Sequence, residues 1–200
     1  MSVEDLDQID KDIKSCTSCK LHDFYCNKER PDPIGYGKLT ALRSETNSIM
    51  IIGLNPSYNR IENTTHPFEV TNKNKKNEVF INILKKFNIF EKAYITNLVK
   101  CSTDDNTITN KNIEDCIHHI RREIHVIGPK LIIALGNQVY NALIDNNVYS
   151  KDKIVKIFHP SYQYAYKKIS PSDYELHILD AIETFVKRQK NEIKQDYTQD

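Results

Sequence analysis

Four short segments, SIMIIGL (48–54), AYITNLV (93–99), KLIIALG (130–136) and KIVKIFH (153–159), are nearly continuous in Ile, Val and Leu. A strand with one face in water alternates apolar and polar residues, whereas a strand covered on both faces has no reason to. The four runs therefore predict a parallel sheet with helices on each side, and the sequence between them has the matching period. Ile113, Ile117, Ile120, Ile124 and Ile127 recur at spacings of four and three, giving one apolar stripe over 110–127 that Gly128 and Pro129 end. NEVFINILKKF (77–87) puts Phe80, Ile83, Leu84 and Phe87 on one face, and the box SDYE opens a helix over 172–188. Strand and helix alternate throughout, so the fold class is α/β.

With 200 residues and 39% hydrophobic content the chain can bury one substantial core, and a single domain over 1–200 is expected. Residues 188–200 read as a frayed helix end. The 28 basic and 27 acidic residues leave a formal charge of +1, so any basic surface is local. The start, MSVEDLDQIDKDIKS, is acidic and lacks a signal-peptide core, and no run approaches the roughly 18 apolar residues of a membrane span. A soluble, cytoplasmic monomer is expected. Residues 57–77, polar and aperiodic, form a loop longer than ordinary connections and are a functional candidate.

In an open parallel sheet, ligands bind at the carboxyl ends of the strands, where the loops converge. GLNPS, TNLVKC, LGNQ and HPSY stand there, which brings Asn55, Asn97 and His159 toward one crevice. Donors and acceptors of this kind recognise the polar edge of a planar heterocycle and stabilise a developing anion. The set has no carboxylate pair and no serine triad, and the chain has neither a Walker motif nor GxGxxG. Asn-Pro and His-Pro are also ordinary turn dipeptides, so local sequence alone leaves Asn55 open as a turn former.

Five cysteines in a reducing compartment are ligands or buried small side chains rather than disulfide partners. CTSC gives Cys16 and Cys19 the two-residue gap of a chelating pair, and Cys101 and Cys116 can complete a four-thiolate site that pins the N-terminal segment to the core. Cys16, Cys19, Cys116 and His119 form an alternative zinc set, Cys26 is a further candidate ligand, and thiols that bind no metal are the remaining reading.

CTSCKL, GLNPS, HPF, YITNLVKC, a cysteine fifteen residues later, PKLIIALGNQ and HPSY occur in one order over about residues 16–165. In that order they resemble the uracil-DNA glycosylase superfamily, most closely its iron-sulfur family 4 branch. The resemblance implies a three-layer α/β/α fold around a four-stranded parallel sheet, and a structural [4Fe-4S] cluster on Cys16, Cys19, Cys101 and Cys116. It implies that Phe68 stacks on a flipped-out base, that Asn97 bonds the base's polar edge, and that His159 donates to the base oxygen as the glycosidic bond breaks. The reacting carbon is buried in stacked DNA, so the nucleotide must be extruded.

One motif departs from the branch. Family 4 usually reads GEAPG where this chain has GLNPS, so its glutamate is Leu54 and its alanine is Asn55. GLNPS is similar instead to the GINPG of mismatch-specific and thymine-DNA glycosylases, whose Asn positions the attacking water; Asn55 is the expected counterpart. Ser57 stands where the most uracil-selective branch has a bulky tyrosine, which opens the pocket to substituted pyrimidines, and Tyr58 is placed to refill it. Lys73, Lys75, Lys76, Asn137, Gln138 and Ser161 are the candidate DNA contacts. The implied activity is a monofunctional glycosylase that removes uracil or a related pyrimidine, in repair or in attack on foreign modified DNA. Its rivals are a catalytically weak DNA-lesion binding module and an iron-sulfur protein of the same fold with another role.

Overall fold

In the computed structural model the four apolar runs form one parallel sheet in the order β2-β1-β3-β4. The structure describes residues 3–21, 41–44, 46–56, 67–68, 70, 77–103 and 107–196. The elements are α1 (Val3–Ser15), β1 (Ile49–Gly53), α2 (Glu78–Lys86), β2 (Ala93–Asn97), α3 (Asn110–Ile127), β3 (Leu131–Leu135), α4 (Asn137–Asp145), β4 (Ile154–Ile157), α5 (Ser161–Tyr164) and α6 (Pro171–Asp196). Gly53 pairs with Asn97 across β1 and β2, and Leu135 with Ile157 across β3 and β4, so the carboxyl ends lie along one edge. The chain leaves β1 toward β2 and returns past it to β3, which puts the topological switch point beside β1.

Alternate strand residues feed two cores. Met50, Ile52, Tyr94, Ile132 and Ala134 pack with Leu6, Ile9 and Ile13 of α1, the isoleucine stripe of α3, and Val139 and Leu143 of α4. Ile51, Ile95, Ile133, Val155 and Ile157 face the other way, onto Phe80, Ile83 and Leu84 of α2 and Tyr174 and Ile178 of α6. Both faces are thus covered, which is why the runs do not alternate in polarity. On the outer side of β2, Leu42 exchanges two backbone hydrogen bonds of 2.9 Å with Ile95, shielding the sheet edge.

Local signals set the helix ends. Thr109 caps α3 in a reciprocal box with Asn112, and Gly128 closes it in the left-handed region at φ 55°. The start of α6 differs from the box expected at Ser172. Ser170 is the cap: its hydroxyl accepts from Asp173 N–H at 3.1 Å, and its carbonyl accepts from Tyr174 N–H at 2.9 Å. Pro171 explains the shift, because a proline has no N–H to satisfy and fits the first helical position. Helical backbone continues to Asp196, beyond the residue 188 expected from the apolar pattern.

Helix α1 is attached mainly by packing. Burying Leu6, Ile9 and Ile13 contributes about 1.5–3 kcal/mol per side chain, against about 0–1 kcal/mol for a partly exposed ion pair. Arg43 to Asp7 (2.6 Å), Arg43 to Asp10 and Arg122 to Asp12 (2.6 Å) therefore fix its orientation more than its stability. This orientation brings Cys16, just past α1, close to His118 and His119 of α3. No helix among the described residues is long and apolar enough to cross a membrane.

Candidate functional site

Gly53 is the point where the crevice closes. A Cβ there would lie 2.5 Å from Asn97 Oδ1 and 2.8 Å from the Phe68 ring, so both side chains occupy space that only glycine leaves. Phe68 lies edge-on to Phe80 at 5.7 Å between centroids and 5.9 Å from the His159 ring. Its φ of 60° is in the left-handed region, costly for an aromatic residue, and strain of about 1–3 kcal/mol of this kind concentrates at sites that hold a ligand. Asn97 and His159, two of the three residues expected to meet at the strand ends, are therefore both beside Phe68, which comes from the segment between β1 and α2.

Asn97 is 2% exposed, and its Oδ1 has no hydrogen-bond partner among the described residues. A buried acceptor left without a donor costs about 1–3 kcal/mol, which a ligand N–H can recover. The turn carrying Asn97 is held by Leu98 N–H to Gly53 O and Val99 N–H to Leu54 O, both 2.8 Å. His159 is fixed differently. Ser161 N–H donates to its Nδ1 at 3.2 Å, with the Ser161 hydroxyl 2.8 Å from the same nitrogen. A backbone N–H can only donate, so Nδ1 accepts and the neutral ring carries its hydrogen on Nε2. Ser161, expected to touch DNA, thus also sets the histidine tautomer.

Asn55 is half-buried, and its Nδ2 donates to Pro56 O at 3.0 Å. The bond is a local turn contact, and it leaves Oδ1 of Asn55 to serve as an acceptor. Ser57, Tyr58, Lys73, Lys75 and Lys76 lie outside the described residues, as does Cys26. Asn137 and Gln138 are exposed at the start of α4, and Gln138 Nε2 donates to Ile108 O at 3.0 Å, tying that helix to the segment before α3. Lys167 and Lys168 are further lysines, outside the expected DNA contacts. With Gln163, Ser170 and Asp173 they line an open surface depression of about 540 Å³ between α5 and α6, and the signal for them is the KK pair closely following HPSY in sequence.

Among the cysteines, Cys16 and Cys19 are half-buried just after α1, and Cys101 and Cys116 are buried. Cys101 stands four residues past the end of β2 rather than at it, because the backbone turns at Leu98 to Lys100. Burial first, with Cys19 and Cys16 nearby and against the lowering effect of Lys100, pushes the Cys116 thiol up to about 11. Lys100 N–H donates to Cys116 Sγ at 3.3 Å. Cys16 and Cys19 lie near enough to Cys116 to act on its thiol, and a buried sulfur with neighbouring thiols and a backbone donor suits a thiolate compensated by a cation, so these residues fit a metal group. His119 is also buried, and burial first, with His118 beside it, holds its pKa down at about 3.

Next to Cys116 lies a buried ion pair, Lys100 with Glu123, that no sequence motif marks. Lys100 Nζ donates to both oxygens of Glu123 (2.8 and 2.7 Å) and to Thr96 Oγ1 (2.7 Å), and Tyr94 OH donates to Glu123 at 3.1 Å. Lys100 is 2% and Glu123 0% exposed. The pair ties the turn after β2 to α3, and Tyr94 and Thr96 extend the network onto the strand that ends at Asn97.

The family model described as the uracil DNA glycosylase superfamily matches residues 42–183. The chain belongs to that superfamily. Relatives named Type-4 uracil-DNA glycosylase include those of Sulfurisphaera tokodaii, 26% identical over 83% of this chain and 70% of the relative, and Thermotoga maritima, 27% identical over 75% and 78%. That of Archaeoglobus fulgidus is 25% identical over 80% of this chain and 83% of the relative. Superfamily membership accounts for the three-layer architecture and for a crevice at the strand ends.

Proposed function

We propose that the chain is a DNA glycosylase that extrudes uracil, or a related modified pyrimidine, from DNA and hydrolyses its N-glycosidic bond. The observation that carries the reading is the buried, unpartnered Oδ1 of Asn97 beside Phe68 and His159. An asparagine amide presents an acceptor and a donor side by side, complementary to the N3–H and O4 of uracil. Phe68 supplies a ring face for the base.

As the C1′–N1 bond breaks, its electron pair moves into the base and charge develops on O2. The Nε2–H of His159 donates to that oxygen, and its neutral state lets it do so without giving up a proton. The sugar becomes oxocarbenium-like, and water captures C1′ and releases a proton to solvent. Asn55 Oδ1 is the acceptor proposed to orient that water. The products are the free base and an abasic site. Asn137, Gln138, Ser161, Lys73, Lys75 and Lys76 are proposed DNA contacts, and Lys167 and Lys168 join them; Ser57 and Tyr58 are proposed to border the base.

Cys16, Cys19, Cys101 and Cys116 are proposed to hold a [4Fe-4S] cluster. When bound it cross-links the segment after α1 to β2 and α3, a structural contribution. The deciding experiment is incubation with oligonucleotides carrying uracil, thymine mismatches or modified cytosines, followed by alkaline cleavage. Cleavage of the uracil strand supports the reading. Binding of DNA with no cleavage of any substrate would instead favour a lesion-binding module.

A further inference from the structure

Among the described residues, one set of three metal-ligating side chains has its ligand atoms within 4.8 Å of one another: Cys16, His118 and His119. Adjacent helix residues diverge by about 100° around the axis, so neighbouring histidines ordinarily point apart. Here the two rings lie 3.9 Å apart between centroids, both turned toward the cysteine after α1. His119 is 3% exposed, and neither of its ring nitrogens has a hydrogen-bond partner among the described residues. An imidazole buried with both nitrogens unsatisfied is an uncompensated polar group unless something binds there.

The spacing is near that of donors to a single ion. Zn–S of about 2.3 Å and Zn–N of about 2.0–2.1 Å put tetrahedral donors roughly 3.3–3.8 Å apart, which a small closure of this trio reaches. A thiolate with two imidazoles is a borderline-soft set that suits Zn(II) and its spectroscopic substitute Co(II). We propose that Cys16, His118 and His119 form a second metal site, for one divalent ion of the zinc class, that shares Cys16 with the cysteine quartet and fills when no cluster is present. The fourth position falls to Cys19 or to water. Cys16 cannot serve both sets, so the metal supplied decides which set closes. In the zinc form α1 is fastened to α3 alone, without Cys101. The inference rests on the α1 and α3 geometry and is independent of the glycosylase reading.

The test uses the full chain purified from iron-limited cells supplied with Co(II), read by metal content and by the thiolate-to-cobalt and tetrahedral d–d absorption bands. About one Co(II) per chain is expected, retained in Cys101→Ser, with affinity reduced at least ~tenfold in His119→Ala and in His118→Ala. His118 is exposed, so its variant keeps the test valid if the His119 variant misfolds by circular dichroism. In protein from iron-replete cells, His118→Ala should keep the brown absorption of an iron-sulfur group. Cobalt binding untouched by His118→Ala, or abolished by Cys101→Ser, would overturn the proposal, whatever the enzyme's activity on uracil.

Discussion

At the residue scale the crevice is built on close approach, and Gly53 is where a single methyl group tests it. Gly53→Ala would drive a carbon to 2.5 Å from Asn97 Oδ1 and 2.8 Å from Phe68. We expect uracil release to fall by more than tenfold and stability to drop by about 1–3 kcal/mol, the cost of overpacking, measured by strand cleavage and denaturant titration. Asn55→Ala should lower the hydrolysis rate while DNA binding stays near wild type; a rate equal to wild type would remove Asn55 from the mechanism. Neither Gly53's role nor the tautomer of His159 is legible in the sequence. Gly-Leu-Asn-Pro reads as a turn, and only the position of the Ser161 amide shows which histidine nitrogen accepts.

Helix α6 is the element whose docking depends on pH. His177 Nε2 accepts Phe158 N–H at 3.0 Å, one residue before His159, and desolvation lowers the His177 pKa from its usual value near 6.5. The folded state therefore binds a proton less readily than the unfolded chain. Stability is complete above the unfolded pKa and is lost as pH falls below about 6.5 toward the folded value. Thermal melts between pH 7.5 and 5 should show this decline, and His177→Gln, which keeps an acceptor but does not titrate, should remove the share that His177 contributes and leave that of the buried His119. Ser170→Ala should destabilise α6 by about 1 kcal/mol and Ser172→Ala by much less, since the cap is Ser170. The sequence carried the helix but misplaced its start by two residues, because serines flank Pro171 on both sides and only backbone geometry selects one.

For the whole molecule, the buried Lys100–Glu123 pair joins the sheet to α3 between the crevice and the cysteines. Lys100→Met alone leaves Glu123 without its cation, and the expected cost is about 3–5 kcal/mol. Lys100→Met with Glu123→Leu removes both charges and should recover most of that loss in chemical denaturation. If the double variant is as unstable as the single, the pair is not coupled as the geometry requires. Cys101→Ser should lower the melting temperature of protein made with iron, because metal held by thiols contributes to folding. The same substitution leaves the proposed cobalt site intact, which separates the two ligand sets in one variant.

By itself the sequence determined the layered α/β architecture, since runs of Ile, Val and Leu without polar alternation have no stable place except between two covering layers. It also put Asn97 and His159 toward the carboxyl ends of two of those runs, although β2 stops at Asn97, two residues before its apolar run ends at Val99. Tertiary structure decided what those residues can do. Asn97 gains an unsatisfied oxygen only because Gly53 lets it and Phe68 press inward. His118, silent in the sequence, meets Cys16 only because α1 is packed and salt-bridged against α3. Burial, contact and the sharing of a ligand are relations between distant segments, and periodicity along a chain encodes none of them.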